Sequence, residues 1–176
     1  NQTTLTYYGV YSRGYTVNYY SGVNKATSTV TQTGTVYYNS NTASVPTTTK
    51  VTLKAASDST DISGWTERGW RKDTNTSDRA YTYGQTNVDV NITTTAADTT
   101  KFYSVYKKDY TANFYSGVEN ATNTPVTGTI YYNTNTASVP TTTTITLKAA
   151  SDSANIANCT ELGWRDDTTA GAKEYD

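Results

Sequence analysis

One stretch of this chain occurs twice, and that repetition limits the fold more than any other feature. Leu5-Thr-Tyr-Tyr-Gly-Val-Tyr-Ser-Arg-Gly-Tyr-Thr-Val-Asn-Tyr-Tyr-Ser-Gly22 returns as Thr100-Lys-Phe-Tyr-Ser-Val-Tyr-Lys-Lys-Asp-Tyr-Thr-Ala-Asn-Phe-Tyr-Ser-Gly117. Tyr15 aligns with Tyr110, a spacing of 95 residues. One residue is lost between Gly22 and Gly34, so that Gly34 aligns with Gly128 at a spacing of 94. The match continues through Tyr-Tyr-Asn at 37–39 and 131–133, Asn41-Thr-Ala-Ser-Val-Pro46 and its copy ending at Pro140, and Leu53-Lys-Ala-Ala-Ser-Asp-Ser59 and its copy ending at Ser153. Self-similarity on this scale marks an array of like modules. In both copies of the first stretch Tyr, Phe and Val alternate with polar residues, the two-residue period of a strand. The alternation breaks at Ser12-Arg13-Gly14 and Lys107-Lys108-Asp109. A turn is expected at each break, with the repeat boundary inside it.

Numbered from that boundary, the chain reads as three parts. Residues 1–14 are a closing strand with no module before it; 15–109 form a complete module; 110–176 form a second module that lacks its closing strand, because Asp176 aligns with Thr82. The fold class is mainly β. Within the first module the alternation predicts strands over 15–20, 34–38, 49–53, 88–92 and 101–106, and a short helical turn over 54–59. Trp65 and Trp70 stand beside Gly64 and Gly69, where glycine is expected to let the backbone pass close to a large ring. The expected inward set is Tyr15, Val17, Tyr19, Val36, Val51, Leu53, Trp70 and Val105, with their repeat partners.

A hydrophobic fraction of 35% is low, but 17 Tyr and 3 Trp compensate, since each buries a large area while keeping a polar end. Net charge of −1 and scattered Lys and Arg remove the basic footprint of a nucleic-acid binder. No apolar run approaches the ~20 residues that cross a bilayer. A chain that starts at Asn1 without Met, and shows no signal-peptide pattern, is expected to be a mature product or an excised fragment. The single Cys159 excludes an internal disulfide; it occupies the repeat position of Trp65 and reads as a core filler. Few Cys and abundant Thr, Ser, Asn and Tyr point to an extracellular or cell-surface setting.

The order Tyr15-Thr16, Val45-Pro46, Gly69-Trp70, Asp98-Thr99-Thr100 and Phe102-Tyr-Ser-Val-Tyr106, returning as Tyr110-Thr111, Val139-Pro140 and Gly163-Trp164, resembles the Listeria–Bacteroides repeat, of which the internalin B repeat is an example. The resemblance implies modules that are β-grasp-like, with a sandwich-like arrangement as the other option for such β-rich units, set in tandem on a bacterial surface protein. This sequence departs from the usual repeat by extra residues around 55–61 and 77–87.

With no His, acid–base chemistry would fall on carboxylates. Glu67, Asp73, Glu161, Asp166 and Asp167 cluster near the tryptophans, but beside Arg71 and Arg165 they read as solvated turn charges. No phosphate loop, nucleophile elbow or calcium loop occurs, so the chain reads as a non-enzyme that needs no cofactor and no metal. Lys54 and Lys148 end matching strands near Asn and Asp; they read as solvated, with a Lys–Asn cross-link as the reactive alternative. Sequons stand at Asn1, Asn75, Asn91, Asn120 and Asn158.

Two functions follow. The first is a structural stalk, fibre or filament in which the strand carrying Leu5, Tyr7, Tyr8, Val10 and Tyr11 inserts beside Tyr110, Ala112 and Phe114 of another copy. Its partners are copies of the chain or neighbouring repeats, with no nucleic acid and no membrane insertion. The second is a carbohydrate-binding or adhesin module of a bacterial surface or phage-fibre protein, with Trp70 and Trp164 as stacking platforms for surface glycans.

Overall fold

The computed structural model describes residues 3–25, 27–149, 152–166, 174 and 175, and for residues 27–29 the backbone alone. The fold is mainly β, and no described helix reaches seven residues. None is long and apolar enough to cross a membrane.

Among the described residues nine strands form: β1 (Val10–Ser21), β2 (Thr27–Asn39), β3 (Thr48–Val51), β4 (Thr66–Arg71), β5 (Val88–Asn91), β6 (Thr100–Ala112), β7 (Tyr115–Ser116), β8 (Thr122–Asn123) and β9 (Val126–Asn133). The main sheet runs β2-β1-β6-β4, with β9 also paired to β6. β1 is antiparallel to β2 and parallel to β6, and β6 is antiparallel to β4. β3 pairs with β5 and β7 with β8 in two small antiparallel ladders. The helical turn expected over 54–59 is a 3-10 turn at Ala56–Asp58.

The turns expected at 12–14 and 107–109 do not form. β1 runs straight through Ser12, Arg13 and Gly14, which pair with Tyr37, Val36 and Thr35 of β2. β6 likewise passes through Lys107, Lys108 and Asp109. A glycine or a pair of lysines interrupts the apolar alternation without interrupting the backbone ladder, because a paired partner supplies the hydrogen bonds whatever the side chains are. The repeat boundary therefore falls in mid-strand.

Two compact units result, and they do not follow the repeat boundaries. Unit 1 comprises Asn1–Lys108 together with Tyr131–Val139, and unit 2 comprises Asp109–Ile130 with Pro140–Asp176. A short piece of the second copy thus belongs to the first unit.

Unit 1 is built around Val17, Tyr19, Val51, Leu53, Trp70, Val88, Val90 and Phe102, all buried. Val17, Tyr19 and Ser21 face inward because they share one side of β1, and Val88 and Val90 do so on β5. Tyr19 stacks on Phe102 with ring centroids 5.5 Å apart and meets Trp70 edge-on at 5.1 Å. Such pairs add roughly 0.5–1.5 kcal/mol each beyond area burial. Val105 is also buried, whereas Tyr15 and Val36 are half-buried. Tyr15 lies over Gly34, where a Cβ would collide with its ring, and in unit 2 a Cβ at Gly128 would collide with the ring and hydroxyl of Tyr110.

The glycines beside the tryptophans act differently from the expectation. Gly64 has open space around it, and Gly69 approaches a backbone rather than a ring, its missing Cβ leaving room for the Tyr81 carbonyl oxygen. Gly69 has φ 145° and sits at the irregularity in the β4–β6 register.

Candidate functional site

Unit 1 establishes what lies beside the Val17–Tyr20 segment. Parallel pairing sets Val17 opposite Thr100, Asn18 opposite Lys101, Tyr19 opposite Phe102 and Tyr20 opposite Tyr103. β6 fills the slot between β1 and β4. Its Phe102 ring lies between Tyr19 and the edge of Tyr81, and Tyr20 stacks on Tyr103 at 5.4 Å.

Unit 2 reproduces the walls of that slot. Ala112, Asn113, Phe114 and Tyr115 stand at the repeat positions of Val17–Tyr20. The Phe114 ring meets Trp164 edge-on at 5.0 Å, as Tyr19 meets Trp70. The Trp164 indole N–H donates to the Lys148 carbonyl at 2.8 Å, as Trp70 donates to that of Lys54 at 3.0 Å. The lysines singled out in the sequence thus contribute through their backbone. Trp164 and Tyr175 exchange backbone hydrogen bonds of 3.0 Å each, matching the bridge of Trp70 and Tyr81. The Ala154 N–H donates to the Ser116 hydroxyl, as that of Thr60 does to Ser21.

Between these walls runs an open groove of about 790 Å³, lined by Ala112, Phe114, Tyr115, Ile145, Leu147 and Trp164 among others. In unit 1 the matching Val17, Tyr19, Val51, Leu53 and Trp70 share one core cluster with Phe102 of β6, and Tyr20 stacks on Tyr103. Among the described residues of unit 2 no strand occupies the groove.

The strand singled out as a donor is exposed. Leu5, Tyr7 and Tyr8 precede β1 and show 71%, 86% and 51% of their surface, and Val10 and Tyr11, at the start of β1 opposite Asn39 and Tyr38, are also exposed. Of the acceptor residues, Phe114 is buried and Tyr110 and Ala112 are half-buried.

The two proposed glycan platforms differ. Trp70 is fully buried, closed by the edges of Tyr19 and Tyr83, and offers no face to a ligand. Trp164 is half-buried in the groove. Sequon residues Asn75, Asn91, Asn120 and Asn158 are exposed, while Asn1 lies outside the described residues.

The charged groups pair locally. Arg71 holds Asp73 through two hydrogen bonds of 2.6 and 2.9 Å, which keeps the Asp73 carboxyl below its usual range. Arg68 holds Asp78 in the same forked way, pulling its pKa down to about 2. Burial raises the Glu67 carboxyl, against a lowering hydrogen bond from Ser59, and one of its oxygens is buried without a hydrogen-bond partner. Burial also pushes the Tyr19 phenol up to about 12 and raises those of Tyr83 and Tyr106. These hydroxyls stay protonated and act as fixed donors: Tyr106 donates to the Thr60 carbonyl at 2.7 Å. Among the described residues no three His, Cys, Asp or Glu side chains come together as a metal site. Asp167 lies outside those residues.

One packing surface was missed from sequence: Tyr131–Val139, the open end of the β6–β9 hairpin together with the turn that follows it. Tyr132, Asn133 and Thr134 are fully buried in unit 1. The signal was present, because Tyr-Tyr-Asn-Ser-Asn-Thr-Ala-Ser-Val-Pro at 37–46 differs from its copy at 131–140 in one residue, Ser40 against Thr134.

Comparison with protein-family models, with curated proteins and with solved structures finds no match for this chain.

Proposed function

We propose that this chain is a structural, extracellular or cell-surface repeat protein whose copies join head to tail by strand donation, Leu5–Tyr11 of one copy lying in the unit 2 groove of the next. One observation carries the reading: the groove of unit 2 is walled by the same repeat positions that enclose β6 in unit 1.

The register transfers directly. Thr100, Phe102, Ser104, Val105 and Tyr106 are the buried positions of this part of β6, and Lys101 is exposed. Their counterparts are Leu5, Tyr7, Gly9, Val10 and Tyr11, with Thr6 in the exposed place. The donated segment would therefore set Leu5 opposite Ala112 and Tyr7 opposite Phe114. Main-chain pairing would supply affinity, and alternating side chains would supply specificity. Because donor and acceptor are different surfaces, the contact propagates as an open chain rather than closing as a dimer. The surface setting draws on the Cys-poor, Thr- and Tyr-rich composition and on the resemblance to tandem surface repeats.

Deleting residues 1–8 tests this while leaving β1 intact. The full chain should associate with rising concentration in sedimentation velocity, and the truncated chain should remain monomeric with an unchanged circular dichroism spectrum. Association that survives the deletion would end the model. In a longer polypeptide a following repeat would fill the groove with the same chemistry.

A further inference from the structure

In unit 1 the hairpin end from the second copy is held by a rim of backbone groups. The Asn24 N–H donates to the Tyr132 hydroxyl at 2.7 Å, and the Lys25 N–H donates to the Thr134 hydroxyl at 3.2 Å. That hydroxyl in turn donates to the Gly22 carbonyl. The Asn133 amide donates to the carbonyls of Asp73 at 2.9 Å and Asn75 at 3.0 Å. The Tyr132 ring packs between Tyr106 and Trp65, 6.0 and 6.2 Å away. The rim can point its N–H groups this way because Gly22, Asn24 and Lys25 have positive φ, at 73°, 50° and 57°.

Among the described residues both halves of this contact exist a second time, unjoined. The first-copy hairpin end has the same internal geometry as the docked one. Tyr11 and Tyr38 lie 5.9 Å apart where Tyr106 and Tyr132 lie 6.0 Å apart. Ser40 N–H donates to the Gly9 carbonyl at 2.9 Å where Thr134 N–H donates to that of Ser104 at 3.0 Å. The Asn39 carboxamide oxygen accepts from the Asn41 N–H as that of Asn133 does from Asn135. Yet Asn39 and Ser40 are exposed, where Asn133 and Thr134 are fully buried. In unit 2, Gly117, Glu119 and Asn120 repeat the rim with φ of 80°, 53° and 57°, and Val118 beside them is 66% exposed. A preformed hairpin end and a preformed rim are explained by neither unit alone.

We infer that the hairpin end Tyr38–Thr42 of one copy docks on the Gly117–Asn120 rim of a second copy, forming the other half of the junction made by the donated strand. This rests on the strand-donation reading, since both contacts belong to one junction. The Glu119 N–H would donate to the Tyr38 hydroxyl, and the Ser40 hydroxyl would accept from Asn120 N–H and donate to the Gly117 carbonyl. Tyr38 would cover Cys159, the exposed residue at the repeat position of Trp65. The junction would then be two-pronged, with strand and hairpin fixing the angle between successive copies as a single strand would not.

The test uses the full chain, the deletion of residues 1–8, and Asn39→Arg. Asn39 is exposed while its counterpart Asn133 is fully buried in the docked contact of unit 1, so Arg at 39 is expected to clash at the junction; an unchanged circular dichroism spectrum shows that losing its hydrogen bond from Asn41 leaves the fold intact. Sedimentation reads association, and the alkylation rate of Cys159 reads the hairpin contact itself. Asn39→Arg should weaken association about tenfold or more, the loss of one well-placed contact, and Cys159 should be protected only in assembled wild type. If the deletion abolishes association while Asn39→Arg assembles like wild type with Cys159 fully reactive, the hairpin contact is wrong and strand donation stands. If association survives the deletion but not Asn39→Arg, strand donation is wrong and the hairpin docks alone. If neither variant changes wild-type behaviour, or wild type never associates, both fail.

Discussion

Units 1 and 2 contain the same positions in two environments. Val17, Tyr19, Val51, Leu53 and Trp70 are buried in unit 1, whereas of their counterparts Ala112, Phe114, Ile145, Leu147 and Trp164 only Phe114 is buried. What forms in both has its two partners inside one repeat: the indole-to-carbonyl bond, the Trp–Tyr bridge, the left-handed rim and the hydroxyl contact of Ser21 or Ser116. What differs needs a neighbour. Thr48–Val51 is a strand because β5 pairs with it, and residues 142–145, Thr-Thr-Thr-Ile against Thr-Thr-Lys-Val, are not in a strand. Thr66–Arg71 pairs with β6, and the matching 160–165 hold only the bridge at Trp164. Strand propensity is a fit to a surface, and when the surface is absent the same residues stay irregular.

The largest effect that would break this comparison is in the tryptophans. Trp70→Ala should cost unit 1 about 3–5 kcal/mol, the range for truncating a buried aromatic. Trp164→Ala should cost unit 2 less than that, because a ring that is only partly buried at an open groove gives up less burial and leaves no closed cavity behind. Equal losses by chemical denaturation would mean that the groove of unit 2 is closed in solution.

A smaller effect would sharpen it. A peptide of residues 3–14, added at about 100 times its dissociation constant, should stabilise unit 2 by about 2.7 kcal/mol through mass action and leave unit 1 unchanged. Amide hydrogen exchange should then slow at 112–115 and 160–165, where β6 pairs in unit 1. Exchange that slows elsewhere would place the peptide outside the groove.

The smallest effect is acid sensitivity confined to unit 1. Its Arg68–Asp78 pair has Leu162 and Ala172 at the matching positions of unit 2. The Asp78 carboxyl is depressed to about 2, so its contribution is present above the unfolded value of about 3.9 and lost as pH falls toward 2. Both partners are partly exposed, at 28% and 42%, and solvent holds the contribution below about 1 kcal/mol. Asp78→Asn should therefore lower the melting temperature of unit 1 slightly at about pH 6, with the gap from wild type closing by about pH 2. A gap that persists in acid would mean that packing, not charge, is lost.

Alternation along 15–20 and 101–106, and the paired aromatics of the repeat, determine by themselves that the chain is β-rich and that Val17, Tyr19, Trp70 and Val105 face inward. A two-residue period depends only on neighbours in sequence, and a large ring must be covered by something. The repeat also marks Leu5–Tyr11 and Ala112–Phe114 as related in the way β6 and β1 are. Tertiary structure alone decides the rest. Apolar alternation breaks at Arg13-Gly14 and Lys107-Lys108, but the ladder continues because backbone hydrogen bonds are indifferent to side-chain polarity. Tyr132, Asn133 and Thr134 are, in sequence, the end of an alternating run and the start of a polar turn, and only the rim at Gly22–Lys25, more than a hundred residues away, turns them into a buried plug. Burial of a polar turn depends on donors and acceptors that distant backbone brings to it, and no local pattern encodes where that backbone will be.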